Sequence, residues 1–590
     1  MLPVSFKEAL CAVVGISVLL LFINEAQAVD FKEQELYGSF DTTASYGQTW
    51  RMQSRAAELI GRINGGTAYS VNGDDGDLNY GPGLVSSTLK FTSELELHYK
   101  KIGAFIRATG FKDMLNDGPG DTLRTPLSTQ ARELVGEDFK FLDAYAWADL
   151  ELGKMPFDIR VGKQVLSWGE STFIQNSINT INPVDVSRLR VPGAELKEAL
   201  LPVGMVSAAL GLTENLTLEG FYEYDYQRVL IDPPGSYFST NDFAGNGGSC
   251  VVLGFGVAPD YIIPSQGLTS CAFGLPFAAP RAPDDRPPEG GQYGAALHWL
   301  STALNDTEFG LYFINYHSRL PVINAFAATA LGNAATAAYQ IGYPEDIQLY
   351  GLSFNTQLGT SGWALQGEYS LRHDTPLQID DVELLIAALT DGLGPNQVTG
   401  GGPGGFVAPG SFIPGFVRRD VSQFQMTASR VFGPMLMANQ SIIVGEFAVT
   451  HVHDMPDKNL LRLDAPGTNL PGPFFGIPRA FPVTLAVQPD DDFADATSWG
   501  YRIVGRLDYN NVLGALNVSP RIEWRHDVSG NSPGPGGNFI EGNKVITVGV
   551  GASYQHAWQA DLSYTNFFGA GAQNLLHDRD FLAFSLGYSF

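Results

Sequence analysis

The sequence predicts an all-β fold: a transmembrane antiparallel up-and-down β-barrel of about 18 strands, within a range of 16–18, with long extracellular loops. Three observations predict it: an export signal at the amino terminus, apolar residues at every second position, and links that alternate between short and long. Beyond the first thirty residues, no apolar run reaches the roughly 20 residues that a membrane helix needs. The membrane-spanning elements are therefore expected to be strands, with residues 29–590 as a single barrel domain.

Residues 1–28 show the parts of a cleaved secretory signal peptide. Lys7 supplies a positive charge, residues 10–23 form an apolar core, and Ala26-Gln27-Ala28 fits a small-x-small cleavage site. The alternative is a retained membrane anchor, which the short apolar core disfavours. We therefore expect export to the outer membrane of a Gram-negative cell.

The last ten residues alternate most clearly. Leu582, Phe584, Leu586, Tyr588 and Phe590 share one face, and small or polar residues occupy the other. An apolar strand that ends on phenylalanine resembles the carboxy-terminal assembly signal of outer-membrane barrels. The same period predicts eighteen strands, near 40–51, 87–99, 102–112, 143–152, 157–166, 204–213, 215–228, 291–301, 307–318, 347–358, 361–372, 419–431, 440–452, 499–509, 518–527, 544–556, 558–567 and 580–590. The first of them could instead belong to an amino-terminal plug.

The long links are expected on the extracellular side and the short turns in the periplasm. Cys250 and Cys271, in the outer loop 229–290, are the pair left after signal removal. In an exported protein they predict a disulfide, with two free thiols as the alternative. A short helix is expected within 378–393, because acidic residues begin it and Gly392 follows it.

Charge narrows the classes of partner. The net charge of −26 argues against nucleic acid, whose phosphates need lysine and arginine. Asp74, Asp75 and Asp77 have the oxygen density of a calcium loop, and Asp490–Asp492 form a second acidic run. The alternatives for these loops are solvated acidic turns and contacts with lipopolysaccharide through divalent cations. No other cofactor or metal is predicted, since His451 and His453 lack a third ligand at a recognised spacing.

The segment 161–202 is the most distinctive part of the chain, because it mixes apolar and charged residues where exposed loops are mostly polar. We expect it to fold into the barrel as a constriction or gate, a well-packed outer lid being the alternative. The candidate ligand or gate residues are Gln164, Trp168, Glu170, Phe173, Ile174, Asn176, Asp185, Arg188 and Arg190. The candidate lumen residues of the strands are Arg107, Arg160, Glu219, Glu223, Glu368, Arg521 and Glu523. Because both signs of charge occur, these residues favour a hydrated interior with ion pairs. They do not resemble the row of like charges that lines an anion channel.

Four stretches resemble a known family. They are the run from GKQ at 162–164 through WGE at 168–170, NPVD at 182–185, PGAELK at 192–197 and DPPGSYFSTND at 232–242. The chain is similar in these motifs, and over nearly its whole length, to the uncharacterised 1302 family of Gram-negative outer-membrane proteins. The resemblance implies handling of hydrophobic compounds such as steroids or terpenes, alongside an exported partner protein and a resistance-nodulation-type exporter. The family brings no catalytic residues to this chain.

The function that we expect is passive transport of hydrophobic small molecules through the barrel. A serine-elbow pattern occurs at 530–534, but a Pro/Gly-rich stretch follows where an elbow needs a helix, so we interpret it as a turn. We therefore predict no catalytic residues. Two alternatives stay open, an outer-membrane hydrolase of lipids or esters and a structural or adhesive barrel.

Overall fold

A computed structural model of the protein describes residues 29–33, 35–118, 120–390, 397–398, 407–473 and 487–590. The predicted signal peptide lies outside the described residues. Eighteen strands make up the wall, close to the predicted positions. They are β1 (Leu36–Arg51), β2 (Gly83–Tyr99), β3 (Ile102–Asp113), β4 (Glu137–Leu152), β5 (Met155–Gln164), β6 (Val203–Thr213), β7 (Leu216–Glu223), β8 (Gln292–Ser301), β9 (Thr307–Tyr316), β10 (Ile347–Gln357), β11 (Trp363–Gln378), β12 (Phe416–Phe432), β13 (Gln440–Val452), β14 (Thr497–Leu513), β15 (Leu516–Ser529), β16 (Lys544–Tyr554), β17 (Trp558–Phe568) and β18 (Phe581–Ser589).

The wall closes where the last strand meets the first. Each strand pairs antiparallel with its neighbours in sequence, and β1 pairs with both β2 and β18. At the end of this seam the Thr42 N–H donates to the Phe590 carbonyl at 2.7 Å, and the Phe590 N–H donates back at 2.9 Å. A short strand, Val29–Glu33, pairs with the start of β1. The first predicted segment is thus a wall strand and not a plug, and the predicted barrel is confirmed.

The two faces of the wall differ in chemistry. Successive side chains of a strand point to opposite sides. On β9, Leu311 is 52% exposed while its neighbour Tyr312 is 6% exposed. The same contrast recurs around the barrel, and the exposed apolar side chains include Phe91, Phe141, Leu218, Leu352, Val548 and Leu562. An apolar outer face is what a lipid-embedded wall requires, and the buried core lies inside the barrel.

Link lengths separate the two ends. The eight links that follow the even-numbered strands, from β2 to β16, are short. The nine links that follow the odd-numbered strands, from β1 to β17, are long and lie at the opposite end of the barrel. The long links carry short helices, Asp75–Asn79, Thr129–Val135, Val186–Leu189, Leu196–Ala199 and Asp381–Thr390, the last of which was predicted. In the part of the chain that the structure describes, no helix is long and apolar enough to cross a membrane.

The loop between β7 and β8 contains the predicted disulfide. Cys250 and Cys271 are joined, with Cα atoms 5.8 Å apart. The strand Cys250–Val252, which contains Cys250, pairs with the strand Ala278–Pro280, and Val252 and Ala278 are buried beside the disulfide. The bond therefore holds together a small folded unit of the outer loops, and the prediction is confirmed.

Candidate functional site

The long link between β5 and β6, residues 165–202, lies inside the barrel, as predicted. It forms two arms. The first arm, residues 165–182, runs along the wall towards β13, and the second arm, residues 183–202, runs the other way towards β18. Asn182 joins the arms to the wall, because its side-chain amide donates to the carbonyls of Gln164 at 3.1 Å and Leu201 at 3.0 Å.

Trp168 anchors the start of the first arm. It is 3% exposed, and its indole Nε1 donates to Glu219 Oε2 on β7 at 2.9 Å. Its ring meets Phe221 at 5.1 Å and Tyr312 at 6.0 Å between centroids. On β8, a Cβ at Gly294 would lie 2.9 Å from the indole, so only glycine admits the ring there. Trp168 is therefore part of the packed interior and is not open to a passing ligand.

The far end of the first arm is held by one carboxylate of the wall. Glu446 on β13 is 2% exposed and accepts the backbone N–H groups of Thr172 at 2.8 Å, Phe173 at 2.7 Å and Ile174 at 2.6 Å. Three converging N–H donors therefore hold the backbone of the first arm against β13. Sequence reasoning missed Glu446, although a lone charge within the apolar stretch 442–449 of β13 is a signal that it could have used.

A second wall carboxylate, Glu368 on β11, holds the middle of the first arm. It accepts the N–H of Glu170, and the N–H of Ile178 at 3.2 Å. Gly169 approaches it with φ of +89°, and a Cβ there would lie 2.5 Å from the carboxylate. Two carboxylates on β11 and β13 therefore hold the first arm by its main chain, whatever its side chains do.

The second arm is held by ion pairs instead. Arg188 is 3% exposed; it donates to Asp138 on β4 at 2.6 Å and lies 4.0 Å from the ring of Phe111 on β3. Asp185, also buried, accepts from Lys140 at 3.2 Å. These contacts fix the beginning of the arm to β3 and β4.

The end of the second arm reaches the barrel seam. Pro192 lies against Gly47 on β1, where a Cβ would be 2.6 Å away, and Glu198 accepts from Lys90 and Thr92 on β2. Gly193 lies close to Ser585 on β18, where an added Cβ would be 2.9 Å from the serine side chain. Together the arms contact the wall from β18 to β4 and from β7 to β13.

The arc β14–β17 is where the lumen stays open to water. Five of its inward side chains are charged and one-quarter to one-half exposed, namely Arg506, Arg521, Glu523, Arg525 and Asp561. Arg521 pairs with both Glu523 and Asp561. Arg506 and Arg525 pair with aspartates two residues away on their own strands, at 3.0 Å each. A polar path of mixed sign therefore lies between this arc and the two arms.

The other predicted gate residues have varied surroundings. Phe173 is 41% exposed, whereas Ile174 is 3% exposed and packs on Phe539. Asn176 donates to the Gly536 carbonyl of an outer loop at 2.7 Å, and Glu170 accepts from Asn355 at 3.1 Å. Of the apolar candidates Trp168, Phe173 and Ile174, Phe173 is thus the one whose side chain is exposed.

The remaining candidates contact the wall or the outer loops. Gln164 bonds to Met205 and Ser207 of β6, and Arg190 to Asp232 at 3.4 Å. Among the lumen candidates, Arg107 pairs with Glu94 at 2.9 Å, Arg160 lies over the ring of Tyr145, and Glu223 accepts both 2.9 Å bonds from Arg319. Their partners are other protein groups, which is the arrangement of a structural interior.

Above the barrel mouth the outer loops enclose a chamber of about 730 Å³. Its wall comes from the links after β1, β7, β9, β11, β13 and β17, which start on opposite sides of the barrel. Much of the lining is apolar and includes Leu59, Val252, Phe277, Leu385, Ile386 and Leu389. Sequence reasoning missed this chamber, because six separate loops must meet to form it.

A buried network of two arginines and two aspartates fastens the loops to the seam. Arg51, at the end of β1, donates to Asp77 at 2.9 Å and to Asp578 at 2.8 Å, and Arg579 donates to Asp77 at 2.8 Å. Each of the four side chains is at most 1% exposed. Burial alone would raise the pKa of Asp77, but Arg579 and Arg51 hold that pKa below its usual value.

The neighbouring acidic residues are also paired. Arg124 donates to Asp75 at 2.7 Å and to both oxygens of Asp260, while Asp74 accepts from Gly61 and Asn64. Asp77 is thus paired with Arg51 and Arg579, and Asp75 and Asp260 are both paired with Arg124. Calcium binding at Asp74, Asp75 and Asp77 stays a prediction.

The closed wall, its apolar outer band and the segment inside it define the class of this protein: a multi-pass β-barrel of the Gram-negative outer membrane. The particular family follows from its sequence. The family model described as "Protein of unknown function (DUF1302)" matches residues 9–590, and the chain belongs to that family. This confirms the resemblance drawn from the motifs.

The chain is similar in fold to several solved structures. OccAB3 from Acinetobacter baumannii has 11% identity and a TM-score of 0.42, covering 94% of this chain and 99% of its own. OccK9 (OpdG) from Pseudomonas aeruginosa has 11% identity and a TM-score of 0.39, covering 94% and 98%. A BenF-like porin from Pseudomonas fluorescens Pf-5 has 10% identity and a TM-score of 0.39, with the same coverage. Among curated proteins no sequence matches the chain.

Proposed function

We propose that this protein is a passive outer-membrane channel for hydrophobic small molecules. The observation that carries the proposal is the apolar chamber above the barrel mouth. Its volume of about 730 Å³ lies within the range of sites that enclose a drug-sized ligand. Burial of a ligand's apolar surface there yields roughly 25 cal/mol per Å². A lipophile would leave the external medium for the chamber before it enters the barrel.

The two arms would then restrict passage through the lumen. Phe173 offers an accessible apolar surface beside the water path, and Glu446 holds the backbone under it. Trp168, Ile174, Asp185 and Arg188 act by positioning the arms, since they are buried in the packed interior. Contacts with an exported partner and an exporter, and with lipopolysaccharide outside, are proposals that follow from the family and the long acidic loops.

A charge placed in the chamber should lower uptake of a lipophile. Leu385 lines the chamber, and Leu385→Arg is expected to reduce the initial rate of steroid uptake by about tenfold, the equivalent of about 1.4 kcal/mol in binding. The measurement is uptake of a labelled steroid by proteoliposomes. Leu460→Arg is the matched control, because Leu460 is 69% exposed and does not line the chamber.

Two outcomes would contradict the proposal. Equal steroid uptake by Leu385→Arg and the wild-type protein would show that the steroid does not pass through the chamber. Proteoliposomes that pass no solute of any kind would favour the structural or adhesive barrel. Heat-modifiable mobility on gels should show that both variants assemble.

One contact favours the hydrolase as a second candidate. Ser422 Oγ on β12 lies in hydrogen-bond contact with His453 Nε2, and the register places Ser422 on the lipid-facing side with Phe424 and Met426. In the described residues no carboxylate or amide side chain bonds to the other ring nitrogen, His453 Nδ1, whereas a hydrolytic triad needs that third group.

We expect purified protein to hydrolyse neither phospholipids nor short-chain esters, with or without Ca²⁺, at a rate above that of Ser422→Ala. Turnover measured in detergent decides the matter. Activity that disappears in Ser422→Ala while the barrel stays assembled would make the protein a hydrolase.

A further inference from the structure

Three carboxylates from two outer loops converge at the chamber wall. Asp380 immediately precedes the helix Asp381–Thr390, and Asp381 is its first residue. Asp464 lies in the link between β13 and β14. One oxygen from each can be chosen so that all three lie within 4.8 Å of one another. Asp381 and Asp464 also line the chamber.

The backbone holds this arrangement in place. The Asp380 N–H donates to the Arg462 carbonyl at 3.1 Å, and the Asp464 N–H donates to the Gln378 carbonyl at 2.9 Å. Ile379 and Leu463 form a bridge between these bonds. The two loops thus lie side by side as a short antiparallel pair, so the three carboxylates meet without any side-chain attraction between them.

No described cation balances the three charges. Arg462, the nearest arginine in sequence, is engaged by Glu383 at 3.3 Å and Asp490 at 2.9 Å. Lys458 pairs with Asp495 at 2.8 Å. Uncompensated buried charge of this kind is costly, and a bound cation removes the cost.

One carboxylate oxygen has no partner. Asp380 is 0% exposed, and its Oδ1 accepts the Val382 N–H at 3.2 Å. Its Oδ2 is buried with no hydrogen-bond partner among the described groups. Asp464, by contrast, accepts from Thr468 through Oδ1 at 2.9 Å. A buried acceptor left without a donor is the position that a cation would fill.

We infer that Asp380, Asp381 and Asp464 form a divalent-cation site, best suited to Ca²⁺, that joins two outer loops at the chamber wall. Two oxygens bound to one Ca²⁺ at about 2.4 Å are at most about 4.8 Å apart, and the three carboxylate oxygens lie within that distance of one another. Ca²⁺ takes six to eight oxygen ligands in flexible geometry, so water and backbone carbonyls can complete the shell. The cation stiffens the chamber wall by holding these two loops together.

The cluster of Asp74, Asp75 and Asp260 is a weaker candidate for the same role. Its carboxylates also lie within 4.8 Å of one another, but Arg124 bonds to two of them. A guanidinium already supplies there the charge that a metal would bring. The absence of such a partner, within the described chain, distinguishes the site at Asp380.

Calcium titration of the purified, full-length barrel tests the inference. After removal of lipopolysaccharide and treatment with EDTA, calorimetric titration with CaCl₂ should show one site per chain, with Kd of about 0.1–1 mM as in extracellular calcium modules. Asp380→Asn and Asp464→Asn should each weaken binding by about tenfold or more, because charge count sets the affinity. Asp491→Asn, an exposed acidic residue in the same loop region, should bind as the wild type does.

Thermal stability supplies a second measurement. The difference in thermal midpoint between Asp380→Asn and the wild type should have one sign in EDTA and the opposite sign in Ca²⁺. In EDTA, Asp380→Asn should raise the thermal midpoint, because it removes a repelling charge. In saturating Ca²⁺ the wild type should have the higher thermal midpoint, because only the wild type gains stability by binding the cation. Absence of saturable binding, or equal loss of binding in Asp491→Asn, would overturn the site. Neither result would bear on the proposed transport, which is measured by uptake.

Discussion

Deleting residues 168–178 and joining Ser167 to Asn179 should convert the restricted barrel into a wide, weakly selective pore with a severalfold higher single-channel conductance. The deleted stretch is the part of the first arm that crosses to β11 and β13. The join is short, because Asn179 Nδ2 donates to Ser167 Oγ at 3.1 Å in the intact protein. An eighteen-strand wall encloses an aqueous channel unless something fills it, and the first arm is much of what fills this one.

Planar bilayer recording measures the conductance, and steroid uptake measures the selectivity. Because removal of Trp168 exposes apolar wall residues to water, a second variant keeps the chain length. Glu368→Gln/Glu446→Gln replaces acceptors by amides, which offer one acceptor oxygen and turn N–H groups towards the arm's own donors. We expect this variant to flicker between the restricted and the wide conductance.

Glu523→Gln is the matched control, since it removes one lumen carboxylate on the arc that the arms do not touch. It should keep the steady, restricted conductance. A deletion variant that assembles and conducts as the wild type does would show that the first arm does not restrict the pore.

Arg579→Met should lower the free energy of unfolding by about 3–5 kcal/mol, the usual cost of removing one partner from a buried ion pair. Arg579 is 1% exposed and donates to Asp77 at 2.8 Å, as well as to the carbonyls of Tyr237 and Ser239. Without it, Asp77 and Asp578 share the single charge of Arg51. One buried carboxylate is then uncompensated, at the point where the outer loops meet the barrel seam.

Unfolding of the barrel in guanidinium, followed by tryptophan fluorescence, measures this loss. Adding Asp578→Asn to Arg579→Met should restore part of the stability, because Arg51 and Asp77 then balance each other. Lys101→Met, which breaks the exposed pair with Glu151, is the control and should cost less than about 1 kcal/mol. If Arg579→Met also lowered the free energy of unfolding by less than about 1 kcal/mol, the buried network would not be what holds the loops to the barrel.

The wall could be predicted almost strand by strand because its cause is local. Alternation along 581–589 or 544–554 is written in consecutive residues, and a lipid-facing wall imposes it on every strand. The inward turn of 165–202 was also predictable, since an apolar loop needs cover. Its attachment was not. Glu446 lies more than 270 residues from the backbone that it holds, and Trp168 was expected to touch ligand but is packed against Phe221.

The sequence by itself determined that this chain is an outer-membrane barrel, how its strands run, which of its links are long and which segment enters the lumen. Each of these depends on neighbours in the chain or on the solvent that a face must meet. Only the tertiary structure decided what the long links make together. The apolar chamber, the Asp77 network and the carboxylates of Asp380 and Asp464 arise where separate loops meet over the mouth. Their residues come close only after the wall has closed and brought the ends of distant strands to one rim.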